Sequence, residues 1–185
     1  MGKVYETIDS KLAGWIRQQH MFFVATAPLD AAGCVNCSPK GGDTFRILND
    51  TEVAYQDLTG SGVETIAHLQ ENGRIVIMFC AFEGKPKIVR LHGKGTVLTE
   101  KDEQFQQLVS QFPAHIGTRA IIHIRVKRIS DSCGYSVPLY EFKDQRDVLD
   151  EWSAKKGEMT LKKYRKQKNS FSVDGLAGLN DDSSS

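Results

Sequence analysis

Two short stretches hold the residue types from which a site could be assembled: CVNCSPKGG, residues 34–42, and YQDLTGSGVET, residues 55–65. The first opens with Cys34-x-x-Cys37, the spacing of a redox dithiol, in which one cysteine must come back over the first turn of a helix for its thiolate to be stabilised. The surrounding residues read instead as a strand. There, three residues at about 3.3 Å each set the α-carbons roughly 10 Å apart on opposite faces, beyond the ~7 Å limit of a disulfide. A structural zinc site needs a second ligand pair. Cys80 and Cys133 are isolated, and the five histidines show no such spacing, so no metal ligand set is expected.

Alternation along a strand sorts the same stretch differently. Asn36, Ser38 and Lys40 share one face, with Val35 and Cys37 on the other. Pro39 has no N–H for a ladder and is expected to loosen pairing, and Gly41-Gly42 lets the backbone turn beside the lysine. A lysine so placed can meet an anion. In the second stretch, Gly60 and Gly62 leave backbone N–H groups unobstructed where a helix begins, and Ser61 and Thr65 add hydroxyls. A helix N-terminus carries partial positive charge suited to phosphate. Taken alone, the stretch reads first as a plain capped helix after a glycine turn, and it has neither the P-loop nor the dinucleotide fingerprint.

These residues need a frame, and the chain length allows one. The 185 residues suit a single domain with terminal extensions. Hydrophobic residues make up 40% and charged residues 25%, with 24 Lys+Arg against 23 Asp+Glu, so net charge names no partner. No apolar run approaches the roughly 20 residues of a membrane helix, and MGKVYETIDSKLAGW has no signal-peptide core, so a cytoplasmic protein is expected. Four cysteines are too few for a disulfide framework and are expected as free thiols.

Residues 7–19 place Ile8, Leu12, Trp15 and Ile16 at helical spacing, with Thr7 and Asp9 as capping candidates. MFFVATAPL, CVNCS, TFRIL and EVAYQ follow as short strands. Ser61 and Glu64 form an S-x-x-E capping box, and Asn72-Gly73 suits a left-handed stop. RIVIMFCAF and KIVRLHGKGTVLT read as strands, EKDEQFQQLVSQF as a helix, and AIIHIRVKRIS and GYSVPLYEF as strands again. About seven strands with few helices predict a mainly β (α+β) fold, an antiparallel closed or nearly closed barrel with flanking helices. Residues 144–179 form a polar helical extension, and 180–185 are expected to be disordered. LKKYRKQK, residues 161–168, concentrates basic charge enough for a local phosphate-attracting patch.

Taken in order, NCSPKGG, YQDLTGSGVETIAHLQENGRIVIMFCAF and GKPKIVRLHGKG resemble the pyridoxamine 5′-phosphate oxidase-like family, with SCGYSVPLYEF and KKYRKQKNSFSVDGLAGL similar to a less characterised subgroup of it. The resemblance spans residues 21–179 and implies a split β-barrel homodimer holding FMN in two clefts between subunits. It places Ser38 and Lys40 near the ribityl phosphate or the flavin edge. Asn36 lies on the same face, and Gly41 lets the chain turn beneath the phosphate. Tyr55, Asp57, Gly60, Ser61, Gly62 and Thr65 would shape the phosphate end.

The departures point to a rearranged phosphate grip. The family's arginine-rich strand and S-R-K triplet are replaced here by Val35 and Thr59-Gly60-Ser61-Gly62. Its C-terminal arginine-histidine pattern has no match in NSFSVDGLAGL, which argues against a vitamin B6 substrate. The resemblance also implies that the chain up to Leu179 packs on the body or on the partner subunit. The leading expectation is an FMN-dependent oxidoreductase acting on a small molecule, with a nicotinamide or deazaflavin donor possible in chemistry. The alternatives are a non-catalytic FMN carrier or sensor, and anionic-surface or nucleic-acid binding through residues 162–168.

Overall fold

The computed structural model describes residues 2–179. In chain order the elements are β1 (Val4–Tyr5), α1 (Ser10–Arg17), β2 (Met21–Thr26), β3 (Asn36–Gly41), β4 (Phe45–Ile47) and β5 (Glu52–Leu58). They continue with α2 (Glu64–Asn72), β6 (Arg74–Cys80), β7 (Ile88–Leu98), α3 (Glu103–Val109), β8 (Thr118–Ser132) and α4 (Val148–Lys168). The expected tail, 180–185, lies outside the described residues.

Seven of the anticipated strand segments form, as β2 to β8, and the two-residue β1 is an addition too short for any periodicity to reveal. GYSVPLYEF is not a strand. Gly134 turns with φ +63°, Pro138 cannot donate to a ladder, and Tyr135, Leu139 and Tyr140 project outward. The first helix is also shorter than its pattern. Asp9 stops it at the N-terminus by accepting from the Leu12 N–H at 2.7 Å.

The eight strands form one sheet in the order β3-β2-β6-β7-β8-β5-β4, with β1 added against the end of β8. All pairings are antiparallel. The path does not close on itself. The sheet curls into a half-barrel whose open edges are β3 and β4, strands adjacent in sequence. A register shift between His92 and Gly93 helps the long β7–β8 ribbon bend. Pro39 does not loosen pairing as expected, since it lies opposite Phe23 in an unbroken ladder. An edge strand can turn a proline's missing donor toward solvent.

The inner faces of β2, β5, β6, β7 and β8 meet α1 and α2 in one core that includes Leu12, Val24, Tyr55, Ile66, Ile77 and Ile122. Burial of each such aliphatic side chain contributes about 1.5–3 kcal/mol. Phe22 holds the seam end of this core, with its ring 5.6 Å from Tyr55 and 5.8 Å from Phe79. A smaller cluster under α3 joins Phe105, Leu108 and Phe112 to Ile121.

Helix α2 ends as its residues predict, on Gly73 at φ +69° with its N–H on the Leu69 carbonyl. Its start differs. Val63 is the N-cap, and no side-chain bond caps the helix, so the Ser61–Glu64 box does not form. Val63 is fully buried in the core, and that anchor sets the helix start.

Gly93 is where the barrel tolerates no side chain, because a Cβ there would lie 2.4 Å from the Arg125 carbonyl oxygen of the neighbouring strand. Gly93→Ala is expected to lower stability by about 2 kcal/mol through overpacking against backbone. Urea denaturation beside the parent chain measures it, and an unchanged midpoint would refute the close approach.

Candidate functional site

The site begins with a carboxylate that has no contact with water. Asp57 stands near the end of β5, opposite Ala120 of β8, and its side chain is fully buried. Buried charges persist only when paired. Lys40, on edge strand β3, brings its Nζ to 3.1 Å from Asp57 Oδ1, and Arg119, at the start of β8, donates from Nε to Oδ2 at 2.6 Å. The lysine thereby ties the open edge of the half-barrel to β5. Burial pushes the Asp57 carboxyl up, but Lys40 and Arg119 outweigh it and hold the group below the ordinary carboxylate value.

Arg119 extends the cluster to the glycine loop. Its Nη1 donates to the Gly62 carbonyl at 2.8 Å, to Asn169 Oδ1 at 2.9 Å and to the Gly60 carbonyl at 3.4 Å. Asn169, just past α4 and fully buried, donates from Nδ2 to the Gly60 and Ser61 carbonyls at 2.9 and 3.4 Å. Thr59 donates to the Gly117 carbonyl and accepts from Arg165 Nε at 2.9 Å. The loop therefore turns its carbonyls into the protein. Among the described residues, the Gly60, Ser61 and Gly62 N–H groups have no protein acceptor. A Cβ at Gly60 would meet nothing within 4 Å, so the space before the loop is open.

A second polar chain runs along β3. Burial alternates along this strand, so Asn36, Ser38 and Lys40 lie on the half-buried face as the period predicts. Ser38 donates to Asn36 Oδ1 at 3.0 Å, and Asn36 Nδ2 donates to Thr65 Oγ1 at 3.0 Å and Thr26 Oγ1 at 3.2 Å. Thr26 in turn bonds His68 Nδ1 at 3.0 Å. The Asn36–Thr65 bond pins β3 to the first turn of α2.

Nine of the ten residues singled out in the sequence thus fall into one contiguous group, in unequal roles. Ser38, Lys40 and the loop at 60–62 keep some exposure, whereas Tyr55 and Asp57 are fully buried and act from behind the surface. The Tyr55 hydroxyl is fully buried, and burial pushes it well above its ordinary range, with the Asp57 charge adding to the effect. Gly41 stands apart: it is exposed, and the turn beyond β3 is taken by Gly42 at φ +68°.

Three residues that sequence reasoning passed over hold the loop: Arg119, Asn169 and Arg165. The signal for Arg119 was a cation at the start of an otherwise apolar strand, TRAIIHI, where a charge must have a partner. Arg165, within the basic run at 161–168, faces Thr59, and Lys162 pairs with Glu158 at 3.0 Å. Cys34 precedes β3 instead of lying in it, and both it and Cys37 are exposed free thiols. Arg90 donates to Ser132 Oγ at 3.0 Å, bracing β7 on β8. Among the described residues no helix is long and apolar enough to cross a membrane.

A curled antiparallel half-barrel flanked by helices, with a cation-bearing edge strand facing a glycine loop, is a split-barrel protein. Residues 8–133 match the family model described as pyridoxamine 5′-phosphate oxidase. The chain is 36% identical to the pyridoxamine 5′-phosphate oxidase family protein ustO of Aspergillus flavus, over 95% of this chain and 77% of that one. It belongs to the pyridoxamine 5′-phosphate oxidase family. Among solved structures, HupZ of Group A Streptococcus shares the fold at 24% identity and TM-score 0.52, over 72% of this chain and 99% of that one. An FAD-binding protein of Mesorhizobium loti shares it at 10% identity and TM-score 0.50, over 71% and 96%.

Replacing Asp57 with Asn leaves two cations without their counter-charge and is expected to destabilise the fold by about 3–5 kcal/mol. Because its folded pKa is depressed, the carboxylate's contribution is complete above the ordinary value of 3.8 and is lost as pH falls through the lower folded value. Thermal unfolding from pH 7 to pH 3 checks both. The parent should lose stability below about pH 4, and Asp57→Asn should lose less over that interval.

Proposed function

We propose that the chain is an FMN-binding oxidoreductase that grips the cofactor's phosphate between the polar face of β3 and the glycine loop. One observation carries this reading: Asp57 draws Lys40 toward Arg119, whose other bonds turn the loop's carbonyls inward and leave three consecutive N–H groups without a protein acceptor. A phosphate dianion needs a cation, hydroxyls and aligned N–H groups. Lys40 contributes the cation, with ammonium protons beyond the one aimed at Asp57. Ser38 and Ser61 contribute hydroxyls, and Gly60 to Gly62 the amides. Asn36 and Thr65 hold β3 at its distance from the loop, and Asp57 and Tyr55 set the lysine from beneath.

When bound, the flavin ring supplies hydride or electron transfer, and the protein's task is to fix it and exclude competing reactions. The reading includes a homodimer in the cytoplasm whose second copy completes the cleft over the ring. Exposure of Tyr135, Leu139 and Tyr140 in the segment after β8 supports a covered face there. The substrate would be a small molecule outside the vitamin B6 series, since Val35 and the glycine loop stand where related oxidases carry cations.

A second reading, an FMN carrier or sensor, is favoured by the fact that Asp57, Tyr55 and His68, the perturbed groups beside the proposed phosphate grip, are all buried, so none of these three stands at the surface as an acid or base. Anaerobic mixing with reduced nicotinamide separates the two, because an enzyme's flavin bleaches and then reoxidises with product formed.

The purified chain, or the chain reconstituted with FMN, is expected to have a flavin absorbance spectrum. A colourless protein that takes up no FMN would sink this reading. Lys40→Met should weaken FMN binding by about tenfold or more, the scale of one lost charge-assisted hydrogen bond. Gly60→Ala should leave the melting temperature unchanged yet weaken FMN, because its methyl enters space that the chain leaves open.

A further inference from the structure

The other end of β8 carries a different kind of site. The Asp57 cluster sits beside Ala120, whereas Asp131, paired with Val89, lies roughly 35 Å further along the strand at ~3.3 Å per residue. Asp131 is in the wall of a cavity of about 660 Å³, between β1, α1 and the hairpin that precedes β7. Small-molecule pockets span roughly 300–1,000 Å³. Four lysines, Lys3, Lys11, Lys85 and Lys87, line it together with Trp15 and Tyr135.

The cavity's acidic groups are already engaged. Asp131 Oδ1 accepts from the Lys3 N–H at 2.7 Å, and Oδ2 accepts from the Tyr5 hydroxyl at 2.5 Å. Burial, followed by this bond and the Asp131 charge, pushes the Tyr5 hydroxyl up to about 12, so it remains the donor at neutral pH. Asp9, the other carboxylate in the wall, caps α1. Lys87 Nζ is held 5.1 Å from the Trp15 ring centroid, 5.5 Å from that of Tyr5 and 3.7 Å from Asp131 Oδ2. Among the described residues, Lys11 and Lys85 have no carboxylate within ion-pair distance. A ligand would therefore meet ammonium donors beside flat aromatic faces, with few acceptors left for a cation or a sugar.

We infer that this cavity is a second ligand site, for a small anion bearing an aromatic ring. The carboxylate or phosphate lies against Lys85 and Lys87 and the ring against Trp15. It shares no residue with the phosphate grip at β3 and the glycine loop, and Tyr135 alone is common to this cavity and the face assigned to the second copy.

Calorimetric titration of the full-length chain, as purified, with phenyl phosphate tests it. The expected result is saturable binding at about one per chain, with inorganic phosphate about tenfold weaker because it lacks the ring. Lys85→Gln, a change at an exposed side chain outside the Tyr5–Asp131 network, should weaken binding about fivefold, and adding Lys87→Gln should weaken it further. Lys40→Met should leave it intact. The inference is overturned if no saturable heat appears, if inorganic phosphate binds as tightly, or if Lys40→Met abolishes binding while Lys85→Gln does not, which would place the anion at the glycine loop.

Discussion

Asp57 puts a negative charge where water does not reach, and much of the architecture around the seam follows from satisfying it. One cation must come from the edge strand and another from the start of β8, and both do, at 3.1 and 2.6 Å. A carboxylate with two cations leaves one net positive charge in a low-dielectric corner, where its field is less screened than at the surface. The half-barrel does not close by hydrogen bonds between β3 and β4, yet Lys40 holds the edge against β5 through charge. The interaction that compensates a buried charge thus also sets the width of the opening.

Arg119 transmits that constraint outward. Its bonds to Gly60, Gly62 and Asn169 make the glycine loop dependent on a segment more than a hundred residues later in the chain. That segment is itself closely fitted. The Leu179 N–H returns to the Asn169 carbonyl at 2.8 Å, and a Cβ on Gly178 would come 2.4 Å from the same oxygen. Helix α4 reaches this position through a break at Gly157, where φ is +69° and ψ 163°, with Leu161 buried just beyond it. The C-terminal extension is therefore part of the loop's support, and its end is coupled to the geometry of a site otherwise built from β3, β5 and α2.

Much of the frame was legible in residue patterns. Period-two alternation placed Asn36, Ser38 and Lys40 on one face, and Asn72-Gly73 marked the end of α2. Both are local effects of side-chain direction and backbone conformation. The failures were also physical. The Ser61–Glu64 box lost to the burial of Val63, a tertiary term larger than a cap. GYSVPLYEF had the composition of a strand, but Pro138 and the turn at Gly134 keep it out of the ladder. Strand β3 begins only at Asn36, so Cys34 lies outside the ladder and strand spacing alone does not set its distance from Cys37.

The sequence by itself determined the strand count to within one, the polar face of β3, the glycine loop ahead of a helix and, through the order of its motifs, the family. Those features depend on neighbours within a few residues, or on a pattern carried intact along the chain. Only the tertiary structure decided that Asp57 is a buried anchor instead of a surface group, that Arg119 and Asn169 hold the loop, and that Arg165 turns inward from the basic patch. Each of these is a pairing across 50 residues or more. Partners that far apart are chosen by how the sheet curls and by where a charge is left without water, and no local pattern encodes that.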